Sequence, residues 1–177
     1  MNTIHVTPRG LGFLRDELAR VQSEYADLCG ERTRAVELSG DGWHDNPYLN
    51  HLQQREAALN HEIARLLGLL ASAVLLDPVP VPRPTNRTAI GSIVTCAVTD
   101  VRTGSEQRQT WEIVGYGETQ RDLHRLAYNA PLARALLGCS AGDVVEATLP
   151  AGAVEIEIVV LHSDWGAASH CELAYHA

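Results

Sequence analysis

The sequence predicts an α+β protein: an N-terminal antiparallel α-helical coiled-coil hairpin followed by a small antiparallel β-sheet domain with one short helix. Three observations predict it. Before position 77, apolar residues recur at alternating spacings of three and four, which marks a helical seam. After position 84, β-branched-rich and partly alternating segments read as strands. Between them, Asp77-Pro78-Val79-Pro80-Val81-Pro82-Arg83-Pro84 carries four prolines at alternate positions, which suits neither a helix nor a central strand. The expected organisation is therefore a hairpin over 1–77, a short semi-rigid proline-rich linker over 78–84, and a C-terminal domain over 85–177.

The first helix opens at Thr7-Pro8, a hydroxyl N-cap followed by proline at the first helical position. Leu11, Leu14, Leu18, Val21, Tyr25 and Leu28 then form its seam. A second seam runs Leu52, Arg55/Glu56, Leu59, Ile63, Leu66, Leu70 and Ala73, with one polar interruption. Between the seams, Ser39-Gly40-Asp41-Gly42-Trp43-His44-Asp45-Asn46-Pro47 has the glycines and proline of a turn. Each arm of about 30 residues would span roughly 45 Å at the α-helical rise. The far end of such a rod is exposed by geometry.

In the second region, strands are expected at Ile93–Val98, Gln109–Val114, Val144–Leu149 and Val154–Leu161. Turn signals at Arg102-Thr103-Gly104, Gly115-Tyr116-Gly117, Ala141-Gly142-Asp143 and Pro150-Ala151-Gly152 separate them. A helix starting with proline is expected at Pro131–Leu137. The segment 164–177 is weakly patterned, as strand or irregular chain.

Composition narrows the function. The 177 residues hold 22 Asp/Glu and 14 Arg with no lysine, a formal charge of −8. Each half of the chain carries 7 Arg and 11 acids, so neither is a basic arm. This disfavours a broad nucleic-acid-binding face, and any DNA binding of its own is expected to be weak. The start Met1-Asn2-Thr3-Ile4-His5 is unlike a signal peptide, and the longest apolar run, Leu66–Leu76, is too short for a membrane span. Cysteines 29, 96, 139 and 171 form no C-x-x-C pair and read as isolated thiols of a cytoplasmic protein. The histidines lack metal-ligand spacing, Gly115-Tyr116-Gly117 fits no dinucleotide loop, and no G-x-S-x-G is present. No self-contained enzyme, small-molecule substrate or membrane partner is indicated.

The hairpin turn carries the candidate chemistry. Asp41 and Asp45 are two carboxylates on one exposed loop, flanked by Trp43, His44 and Asn46. Mg²⁺ takes oxygen ligands, often only one or two carboxylates from a protein. Asp, Asn and Gly are also ordinary turn formers, with Asn46 or Asp45 as a helix cap. Trp43 at a rod end suits either insertion into a partner or folding back on the hairpin.

Thr7-Pro8-Arg9-Gly10, the Gly40-Asp41 turn, the stretch from Ile63 to Pro78, and Tyr128-Asn129-Ala130-Pro131-Leu132-Ala133-Arg134-Ala135-Leu136-Leu137-Gly138 resemble the Gre family of bacterial transcript cleavage factors. The likeness extends to about residue 162. It implies an FKBP-like C-terminal domain without prolyl isomerase activity. It further implies docking of that domain at the rim of the RNA polymerase secondary channel, through the loop of Asn129, Ala130 and Pro131. The coiled coil would enter the channel, where Asp41 and Asp45 would help hold a Mg²⁺ of the polymerase and meet the RNA 3′ end indirectly. The factor itself would need no cofactor.

Two departures from the family pattern stand out. The family tip reads Gly-Asp-Leu-x-Glu-Asn, whereas this chain has Gly-Asp-Gly-Trp-His-Asp-Asn. Counted from Thr7, His44 falls on the second acid; counted from Ile63, Asp45 does, and Asn46 meets the Asn. Both helices thus keep register around one extra tip residue, and Asp45 is the favoured match. The family's arginines near the tip are replaced by Glu37 and Gln53, with Arg32, Arg34 and Arg55 nearby as substitutes. These changes leave open a non-cleaving regulator of the same channel, or a binding role outside transcription.

Overall fold

The computed structural model describes residues 3–39 and 46–168. The chain divides into two compact units. The first holds Pro8–Leu75 and the residues before His5; the second holds His5–Thr7 and everything from Leu76 on.

In the first unit, α1 (Pro8–Ser39) and α2 (Pro47–Ala71) form the helical hairpin. Pro8 and Pro47 each open a helix, where the missing N–H costs nothing. The Asn46 side chain caps α2 by accepting from the Tyr48 N–H at 3.0 Å. Leu28, Ala35, Leu49 and Leu52 form a buried cluster with Leu59 packed against it, and Val21 and Leu66 are buried as well. Apart from exposed Arg55, the expected seam residues are buried or half-buried, and most residues between them face solvent.

One boundary differs from the seam pattern. Helix α2 ends at Ala71, and Ser72 closes it, its N–H donating to Gly68 and Leu69 carbonyls. Ala73 therefore lies beyond the helix, in the short strand β2 (Ala73–Leu75), which pairs with β1 (Ile4–Val6). Three-residue strands are too short to show alternation, so periodicity could not reveal them.

The second unit is built on β3 (Ile93–Asp100), β4 (Glu106–Val114), β5 (Arg125–Ala127), β6 (Val144–Leu149) and β7 (Gly152–His162), with α3 (Pro131–Leu136). The sheet order is β5-β4-β3-β7-β6. It is mixed, not purely antiparallel: β5 runs parallel to β4, with Glu112, Ile113 and Val114 opposite Arg125, Leu126 and Ala127. The chain returns to the start of that edge through the loop and short 3₁₀ turn at Arg121–Leu123, as a parallel crossover requires.

The β3–β4 hairpin turns at Asp100, whose Oδ1 accepts from the Arg102 and Thr103 N–H groups at 2.8 Å each. Those backbone donors, Thr103 foremost, hold its carboxyl below the ordinary value. β7 alternates buried Val154, Ile156 and Ile158 with exposed Glu155 and Glu157. Together with Leu161 of the same strand, its buried face meets Val94, Cys96, Ile113, Leu126, Ala133 and Leu136 in the core. Desolvation there pushes the Cys96 thiol up to about 12. Cys29, Cys96 and Cys139 are free thiols.

The proline-rich segment contains no helix or strand, and its later residues pack on the second unit. Arg83 donates to the Gly91 carbonyl at 2.7 Å and pairs with Glu112 at 2.7 Å, which also holds Arg125 at 3.1 Å. Val79 fills the space a side chain at Gly91 would need: a Cβ there would come within 2.5 Å of it. After β7, residues 165–168 form a helical turn capped by Asp164, whose Oδ1 accepts from the Ala167 N–H at 2.8 Å. The weakly patterned tail is thus helical where it is described.

Candidate functional site: the hairpin and the β5–α3 loop

Asp41, Trp43, His44 and Asp45 lie outside the described residues. Their neighbours define the ends of the two helices that carry them. Asn46, the fifth tip residue singled out from the sequence, is the α2 cap. One turn further in, the Tyr48 hydroxyl donates to Glu31 across the hairpin, which raises the Tyr48 phenol above its usual value. The two arms are thereby bonded to each other just behind the tip.

The candidate basic residues are not equivalent. Arg32 pairs with Glu56 at 2.7 Å, with side chains 50% and 19% exposed. Tyr25 reaches the same carboxylate from its hydroxyl at 3.4 Å. Arg55 pairs with Glu24 at 3.3 Å. Arg34 turns its Nε onto the Gly30 carbonyl of its own helix at 3.2 Å. Two of the three arginines therefore already have a carboxylate partner on the opposite arm. Glu56 and Glu24 are the functional neighbours that sequence reasoning missed. The signal was present in the Arg55/Glu56 interruption of the second seam, where a polar pair replaces an apolar residue and needs a cross-hairpin partner.

In the second unit, Asn129, Ala130 and Pro131 join β5 to α3. Asn129 and Pro131 are exposed, while Ala130 is half-buried against the core. The Ala130 N–H donates to the Ala127 carbonyl at 2.9 Å, and its own carbonyl receives the Arg134 N–H at 2.9 Å. Buried Ala133 and Leu136 anchor the helix beneath. The loop thus presents two exposed side chains beside a helix anchored in the core.

Among the described residues, no group of three or more His, Cys, Asp or Glu could hold a metal ion. Among them also, no helix is long and apolar enough to cross a membrane. Among the described residues, the chain presents a long helical hairpin and a small mixed-sheet unit with an exposed loop.

That combination defines a protein with a helical hairpin joined to a small mixed-sheet unit, and the comparisons give its family. Residues 83–163 match the family described as transcription elongation factor, GreA/GreB, C-term. Transcription elongation factor GreA of Ralstonia nicotianae is 30% identical over 159 residues, covering 89% of this chain and 96% of the relative. The GreA of Nautilia profundicola is 35% identical over 114 residues, covering 64% and 67%. The crystal structure of GreA factor homolog 1 (Gfh1) of Thermus thermophilus matches at 24% identity with a TM-score of 0.41, covering 91% of this chain and 99% of that one. The chain belongs to the GreA/GreB family of transcription elongation factors.

Proposed function

We propose that this protein binds RNA polymerase through its secondary channel and stimulates the polymerase's own cleavage of backtracked RNA, with Asp41 and Asp45 as the acting groups. The observation that supports it is the hairpin: two helices sealed by one seam and bonded behind the tip, leading into a turn with two carboxylates, in a chain of the GreA/GreB family. It acts as an accessory factor and is not itself the enzyme. Asn129 and Pro131 would meet the polymerase rim.

Two carboxylates are a donor set that suits a shared Mg²⁺ of the polymerase better than a resident ion. Mg²⁺ in such a site polarises a phosphoryl oxygen and lowers the pKa of bound water. Asp41 and Asp45 would contribute oxygen ligands, and Trp43, His44 and Asn46 would shape the turn that carries them. Replacing both aspartates by Asn should lower RNA 3′-end cleavage in a stalled, backtracked complex by about 10²-fold while polymerase binding persists. Wild-type cleavage by the double variant would overturn the assignment.

A second reading, a non-cleaving regulator of the same channel, is favoured by the charge distribution. Glu37 and Gln53 stand where the family has arginines, and Arg32 and Arg55 are held by Glu56 and Glu24. Less positive charge remains to attract an RNA end. This reading predicts polymerase binding and slowed transcription with no shortening of the transcript.

A further inference from the structure

The turn Gly115-Tyr116-Gly117-Glu118, which fits no dinucleotide loop, has another use in the second unit. Glu118 is only 2% exposed. Its Oε1 accepts from the Thr7 backbone N–H at 3.2 Å, and its Oε2 from the Thr7 hydroxyl at 2.7 Å. The Tyr116 N–H donates to the His5 carbonyl at 2.8 Å, and the Leu76 N–H to the Val6 carbonyl at 2.8 Å. The Tyr128 hydroxyl accepts from the His5 N–H at 3.3 Å, and its ring meets the His5 ring edge-on. Val6 is fully buried. Residues 5–7 are thus gripped at every position by residues more than 65 positions away in the sequence.

The fit leaves no slack. A Cβ on Gly115 would run into Glu118 Oε1 and stand 2.9 Å from the Thr7 nitrogen and 3.2 Å from the Val6 Cα. Burying a carboxylate is unfavourable unless donors are built around it. Here the backbone and side chain of one threonine provide two such donors. Thr7 is also the residue directly before Pro8, where α1 begins.

We infer that Glu118 is a positioning residue: it latches His5–Thr7 into the C-terminal unit and so fixes the point at which the chain enters the hairpin, and the hairpin acts only from a held root. The second half rests on the proposed cleavage function; the first half does not. A tip whose carboxylates must meet a metal with small error depends on such a fixed root, because about 1 Å of misplacement can cost roughly 10²-fold.

The test uses the full chain with Glu118→Gln, Glu118→Ala, Thr7→Val and Thr7→Ser. Residue-resolved amide exchange by NMR reads Thr7 and Tyr116, with Ile113 and Ile158 as references inside the sheet. Thr7→Val should speed exchange at Thr7 and Tyr116 by about tenfold, the loss of one charge-assisted hydrogen bond, and Glu118→Ala, which removes both, by at least as much. Ile113 and Ile158 should stay unchanged, Thr7→Ser should match wild type, and Glu118→Gln should fall between. In backtracked complexes at saturating factor, Glu118→Ala should lower the cleavage rate more than the affinity for polymerase, and Thr7→Ser should retain both.

Unchanged exchange at Thr7 in Glu118→Ala, or an equal rise at Ile113 and Ile158, overturns the latch. An opened latch with a wild-type cleavage rate overturns the positioning role. If the wild-type factor itself does not cleave, the proposed function fails while exchange still decides the latch. Affinity for polymerase then becomes the activity readout: unchanged affinity in Glu118→Ala overturns the positioning role, and weakened affinity upholds it.

Discussion

Along the hairpin, Val21, Leu28, Leu52 and Leu66 lie in a single buried row, with charged residues on either side. In the C-terminal unit, Ile113, Leu136, Ile156 and Ile158 come from three different elements and meet in one cluster. The row needs only two helices in register, and each residue in it is flanked by solvent-facing neighbours. The cluster needs strands distant in sequence to assemble together. The hairpin accordingly supplements its thin core with polar bonds between its arms, Arg32 to Glu56, Arg55 to Glu24 and Tyr48 to Glu31. The sheet unit instead spends its ion pairs on fixing loops: Glu112 holds Arg83 from the proline-rich segment and Arg125 from the edge strand. A two-helix rod can be thin where polar bonds between its arms add to its buried row.

The comparison can be broken most sharply in the sheet core. Ile156→Ala removes a fully buried side chain that neighbouring strands cannot close over. It should cost about 3–5 kcal/mol and loosen the whole second unit, as read by chemical denaturation and by amide exchange across β3 and β7. Leu52→Ala removes an equally buried side chain from the hairpin row. It should cost less, about 2–3 kcal/mol, with faster exchange confined to α1 and α2, because two helices can shift to close a gap. Equal effects across both units would mean that they unfold as one body, against the division drawn here. The smallest effect belongs to Arg32→Gln. Its partner Glu56 is partly covered but Arg32 is half exposed, so the loss should stay within about 1 kcal/mol and shrink further in high salt. A larger loss would show that the cross-hairpin pairs, and not the row, carry the rod.

Much of this architecture was legible from residue order. The seams from Leu11 to Leu28 and from Leu52 to Leu70 became the buried and half-buried stripes of α1 and α2, because a helix places residues three and four apart on one face. Four of the five long-sheet strands were expected near their observed bounds, and Pro131 opens α3 as its position suggested. The misses share a cause. β1, β2 and β5 are three residues each, and no local pattern distinguishes such a strand from a loop. β5 also made the sheet mixed, since direction is set by how the chain returns and not by what the strand contains. The helix ended at Ala71 because Ser72 could cap it, although Ala73 continues the heptad.

The candidate site divides the same way. Asp41 and Asp45 were singled out by residue type and spacing, Asn129, Ala130 and Pro131 only by the resemblance to the Gre family, and Asn46 is the cap its chemistry favours. That Arg32 and Arg55 are engaged by Glu56 and Glu24 required the register of two antiparallel helices. That Glu118 grips Thr7 across 111 positions required the fold itself.

The sequence by itself determined the rod, the proline break, the strand-rich second half and the likeness to the GreA/GreB family. These follow from periodicity, proline chemistry and turn residues, all of which act over a few neighbours. Only the tertiary structure decided which charges pair, which way β5 runs, and how residues 5–7 come to be seated among Gly115, Tyr116, Glu118 and Tyr128. Those are contacts between segments far apart along the chain, and burial decides them only once the chain has folded.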